Sequence, residues 1–94
     1  ALCVLSNSAV AGDYVTANKV RRACETIGSH AKSTFVRMKK GVAPAIPEEL
    51  KGDEMMETLL TGIYLDIVNG AKTLDAPGAY MVGWSHCMDR VNPN

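Results

Sequence analysis

Residues 17–41 read ANKVRRACETIGSHAKSTFVRMKKG, and this stretch decides the fold class. Ala17, Val20, Cys24, Ile27, Ala31, Phe35 and Met38 recur at steps of three or four. That is the spacing of one face of an α-helix, not the alternation of a strand. At about 100° per residue these side chains fall within roughly 80° of one another. Gly41 follows as a helix stop, and Asp13 or Thr16 suits the N-cap. The pattern predicts a helix over residues 13–40. Gly28 lies in its middle and disfavours helix by about 1 kcal/mol relative to Ala. The helix is therefore expected to be either long or broken at Gly28.

Downstream, GVAPAIP at 41–47 holds two prolines and reads as a loop. Pro47-Glu48-Glu49 looks like a short helical start, since proline and acids favour that end. After Gly52, Asp53 caps a helix expected over 53–69, with Met56, Leu59, Leu60, Ile63, Ile67 and Val68 as its apolar stripe and Asn69-Gly70 as its stop. Asp75 and Pro77 announce a last helix, where Tyr80, Met81, Trp84, Cys87, Met88 and Val91 share one face. Ile27 and Phe35 are expected to face Leu60, Ile63 or Ile67. Leu2 to Leu5 and Val82 give only hints of strand, without clean alternation.

These elements make a single all-α domain over 1–94, a small bundle of three to four helices with a long or Gly28-broken basic second helix. Residues 1–12 form an apolar N-terminal helix or arm, 13–40 the basic amphipathic helix and 41–94 an acidic helical half. A chain of 94 residues buries roughly 60–65% of its unfolded surface, enough for a core without staples.

The formal net charge of zero hides a sorting. Residues 13–40 carry seven basic side chains against two acidic ones, a net of +5; residues 41–94 carry three against eight, a net of −5. Residues 1–12 carry none. Lys19, Arg22, Lys32, Arg37 and Lys40 lie away from the apolar stripe, interspersed with Asn18, Thr26, Ser29 and Ser33. Cations among hydroxyls and an amide are the groups that contact phosphates. They are the candidate nucleic-acid or anion-binding residues. The bland alternative is a solvated face, with Lys39 and Lys40 placed where the helix dipole favours cations. A helix-turn-helix is a further alternative, with its turn at Gly28 and Cys24 as the small residue before it. Its apolar register is offset, because Ser29, Thr34 and Arg37 stand where apolar residues are needed.

The uncharged start, Ala1 to Gly12, must be covered to be ordered. Leu2, Val4, Leu5 and Val10 are the candidate interface residues of a homo-oligomer, in which the basic half of one copy meets the acidic half of the next. ALCVLSNSAVA, residues 1–11, resembles the end of an export leader. Ser6-Asn7-Ser8 interrupts its apolar run and no basic segment stands within it, so it is expected to belong to the folded chain. No stretch reaches 18 apolar residues, so no membrane span is expected.

Cys3, Cys24 and Cys87 are an odd set without the spacing of a zinc site. Three free thiols imply a reducing, cytoplasmic setting. One disulfide with one free thiol, Cys3–Cys87 or Cys24–Cys87, fits a secreted chain instead. A catalytic pair would have to join His30 or His86 to Cys24 or Cys87 across the fold. There is no phosphate loop, HExxH or GxSxG. No catalytic residue, metal or cofactor is expected. The leading expectation is a non-enzymatic, self-associating helical module that binds nucleic acid or an acidic protein through its basic helix. The alternative is a small secreted or periplasmic helical protein with one disulfide that binds or inhibits another protein.

Overall fold

The computed structural model describes the backbone of residues 2–91 and the side chains of residues 17–91. It contains three α-helices, α1 (Leu2–Lys39), α2 (Glu54–Gly70) and α3 (Ala76–Val91), and a 3-10 turn at Glu48–Leu50. Among the described residues there is no strand. The expected all-α bundle is therefore present, with three helices packed together. α3 lies along α1, and α2 packs on both.

The helix ends are set locally. Arg37 and Met38 carbonyls accept from the Val42 and Gly41 N–H groups at 3.0 Å each, and Gly41 has φ +92°. This is a Schellman stop, and the positive φ is why glycine stands there. The Asp53 carboxylate accepts from the Met56 N–H at 3.2 Å, and Asp75 accepts from Gly78 N–H at 2.8 Å. Both aspartates cap the helices they were expected to start.

α1 differs from its expected outline. It continues upstream through Asp13 and Thr16, so neither is a cap, and it runs unbroken through Gly28. The helix-turn-helix alternative needs a turn at Gly28 and has none.

The reason for Gly28 is tertiary. A Cβ there would come within 3.0 Å of the Tyr80 ring and carbonyl, and one at Gly83 would meet the Ala31 Cβ at 2.6 Å. Cys24, Gly28 and Ala31 of α1 oppose Cys87, Gly83 and Ala79 of α3, a seam of small residues where two antiparallel backbones approach closely. Cys24 and Cys87 close it with a disulfide spanning 63 positions. The expected apolar face of α3 is corrected accordingly. Ala79, Gly83 and Cys87 are its buried residues, while Met81 and Val91 are about half exposed at 50% and 48%. Bulky side chains would hold α3 away from α1, so they line its flanks instead.

The main core forms where expected. Phe35 packs in one buried cluster with Leu60, Ile63 and Ile67, and Ile27 packs at its edge. α2 is rotated slightly from the expected stripe: Tyr64 is buried and Val68 is 51% exposed. Tyr64 lies under residues 44–46, and Val68 lies one turn further on. Continued at the register of the seam, Val91 falls opposite Val20. The earlier part of α1 runs past the end of α3, which accounts for a longest dimension of 60 Å.

Candidate functional site

Two prolines keep residues 42–47 out of helix, so the chain leaves α1 and crosses back over α1 and α2. Beneath it lies a cavity of about 280 Å³, lined by His30, Thr34 and Arg37 of α1 and by Val42 to Pro47. The three α1 residues are spaced four and three apart, so they share one side of the helix.

The polar groups here form a chain. Tyr64 of α2 donates from its hydroxyl to the Ala45 carbonyl at 3.3 Å. The ring nitrogen Nε2 of His30 lies 2.6 Å from that hydroxyl. The network assigns the proton to Nε2, which donates to the Tyr64 oxygen. Thr34 donates its hydroxyl to the His30 carbonyl at 2.8 Å. Burial, with the neighbouring Arg37 guanidinium, holds His30 below its usual 6.5. Burial also pushes the Tyr64 phenol above its usual 10.0. Both groups are uncharged at neutral pH, and both bonds are neutral ones. The arrangement is a clamp: α1, α2 and the loop are tied together through His30, Tyr64 and the Ala45 carbonyl.

On the far side of the clamp, Pro44, Ala45, Ile46, Tyr64, Leu65 and Val68 line a shallow groove of about 380 Å³ that is mostly apolar. Leu65 is 58% exposed. Open and lined mainly by apolar side chains, it is the most apolar of the concavities found among the described residues, though not the largest, and such concavities favour apolar ligands.

The basic residues singled out in the sequence, Lys19, Arg22, Lys32, Arg37 and Lys40, are all exposed. Arg37 alone among them reaches the clamp cavity, and it shares a shallow depression with Lys32, Ser29 and Ser33. Arg21 bonds to Asn18 at 2.7 Å and approaches Glu25 at 3.8 Å. Lys39 donates to the Ala71 carbonyl at 2.7 Å and lies 5.4 Å from the Phe35 ring centre. Among the described residues, no salt bridge joins the basic side chains of α1 to acids of α2 or α3. The expected interface residues Leu2, Val4, Leu5 and Val10 have side chains outside the described ones.

The expectation of three free thiols is corrected, because Cys24 and Cys87 are bonded and buried. Neither can pair with His30 or His86 as a nucleophile. His86 instead meets the Asp66 carboxylate. Among the described residues, no group of three His, Cys, Asp or Glu is placed to hold a metal. No described helix is long and apolar enough to cross a membrane. The His30–Tyr64–Ala45 clamp was missed in the sequence. The spacing of His30, Thr34 and Arg37 was visible there, but Tyr64 reads simply as one more residue of α2.

Comparison with protein-family models, curated proteins and solved structures gives no match for this chain.

Proposed function

We propose that this is a non-enzymatic helical protein of an oxidising compartment that seats a segment of another protein in the groove between residues 44–46 and α2. The observation that carries it is the buried Cys24–Cys87 disulfide. Such bonds persist in secreted, periplasmic or lumenal proteins and are rare where glutathione keeps thiols reduced. The groove supports the binding half of the reading. Its loop wall is held by the His30–Tyr64 clamp, so little ordering is needed on binding, and its lining is apolar.

The test has two arms. Thiol titration of the denatured 94-residue chain should find one free thiol, that of Cys3; three would overturn the compartment. A photoreactive residue at position 65, in cells that make the protein, should cross-link to a protein, and Ile46→Asp should abolish that cross-link. Failure to cross-link from position 65 would overturn the groove.

A second reading keeps the basic face of α1 as a contact for nucleic acid in a self-associating module. It draws on the exposure of Lys19, Arg22, Lys32, Arg37 and Lys40. Cross-links to nucleic acid from position 22 would favour it.

A further inference from the structure

We propose that the Ala11–Gly12 peptide bond is a processing site, cut by a leader peptidase during export, so that the working protein begins at Gly12. The inference rests on the oxidising compartment proposed above and adds how the chain reaches it.

The motif is local. Ala9-Val10-Ala11 puts small residues one and three places before the bond, the pattern that leader peptidases accept. Leu2-Cys3-Val4-Leu5 is apolar, and no charge appears until Asp13. Ser6-Asn7-Ser8 looked like an interruption of an apolar run. Between an apolar stretch and an A-x-A site it is instead the polar spacer that precedes cleavage.

The structure supplies two independent supports. The first is the cysteine count. Cys24 and Cys87 are bonded to each other, and Cys3 lies on the leader side of the bond. Cleavage leaves two cysteines, both paired, and removes the thiol that would otherwise invite wrong disulfides. The second is packing. In the register of the α1–α3 seam, Val20 lies opposite the last residue of α3, and Ala17 is already exposed. Among the described side chains of α1, the buried ones start at Cys24. Residues 2–11 belong to the part of α1 that continues past the end of α3 in this register.

The step is a hydrolysis. Water adds across the Ala11–Gly12 amide, leaving a carboxylate on Ala11 and an α-amino group on Gly12. No oxidant or cofactor enters.

The test is intact-mass analysis and N-terminal sequencing of protein expressed from its full reading frame with a C-terminal tag. The expected species begins at Gly12 and has no free thiol. Ala11→Leu, which puts a bulky side chain beside the bond, should leave the leader attached and strip the sample of the Gly12 species. An N-terminus at or before Ala11 in protein that carries the disulfide would overturn the processing site and leave the compartment standing. A Gly12 N-terminus with Cys24 and Cys87 both free would uphold the site and overturn the compartment.

Discussion

Replacing Gly83 with alanine sets helix propensity against tertiary packing, and the structure says which wins. In an isolated helix the change is favourable by about 1 kcal/mol. Here the added Cβ would stand 2.6 Å from the Ala31 Cβ, 2.9 Å from the Ile27 carbonyl oxygen and 3.1 Å from the Gly28 Cα. Carbon atoms in contact prefer about 3.5–4.0 Å, so α1 and α3 must part by roughly 1 Å. None of the three atoms is the end of a flexible side chain. The Cys24–Cys87 bond, one turn away, resists the separation. Overpacking is typically destabilising by about 1–3 kcal/mol, and contacts this short with atoms that cannot swing away put Gly83 in the upper part of that range, about 2–3 kcal/mol. After the propensity gain, a net loss of about 1–2 kcal/mol remains. For a domain of this size that lowers Tm by roughly 5–15 °C. Gly62→Ala in α2 is the control. Its Cβ would meet only the edge of the His86 ring, at 3.4 Å, so propensity should dominate and Tm should rise. Thermal unfolding of the oxidised protein, followed by circular dichroism, measures both. Adding Ala31→Gly to Gly83→Ala removes the shortest contact, so a double-mutant cycle should show favourable coupling. If Gly83→Ala melts as high as Gly62→Ala, the close seam is wrong.

Phe35→Ala should be destabilising by about 3–5 kcal/mol, because Phe35 lies in the cluster of Leu60, Ile63 and Ile67; a denaturant midpoint close to wild type would refute that placement. Replacing both Cys24 and Cys87 with alanine opens a cross-link spanning 63 positions, a loss of about 4 kcal/mol on the chain-entropy account, and an unchanged denaturation curve would contradict the bond. His30 is held below its usual 6.5, so below that value the unfolded chain binds the proton first. Stability should be full above 6.5 and fall as the pH drops towards the folded value; His30→Gln should flatten this limb of the Tm–pH curve, and an unaltered limb would sink the clamp. If the basic face of α1 meets phosphates, Arg22→Ala should reduce the magnitude of the log–log salt slope by about one unit, whereas a wild-type gel showing no shift at low salt would retire that reading.

The helix positions, and the ends other than the start of α1, were legible because their causes are short-range. The stripe through Cys24, Ala31 and Phe35, the aspartate caps at 53 and 75, and the glycine stop at 41 all depend on residues within a turn or two. Gly28 was left undecided, long helix or break, for the same reason. A local reading weighs only its propensity, and the break it suggests is outweighed by the approach of α3. The face of α3 was misread because apolar bulk was taken as the mark of burial. At a close crossing the buried residues are those that lack bulk; Cys87 was placed on the right face, but Ala79 and Gly83 carry little hydrophobic signal.

The candidate site divides along the same line. Arg37 and its basic neighbours could be placed on the outer face of α1 from periodicity alone. The clamp could not, because it joins His30 to Tyr64, 34 positions away, and to a backbone carbonyl of the loop. The disulfide was one of two pairings the sequence left open, and the antiparallel register of α1 and α3 selected Cys24–Cys87. From residue order alone came the helical class, the caps, the proline loop and the sorting of charge, since each is written within a few residues. The crossing of α1 and α3, the cysteine partner and the clamp under the loop were decided by tertiary structure. Each depends on how closely two distant backbones approach, and that distance is set by residues of both segments meeting across the fold, which neither segment specifies alone.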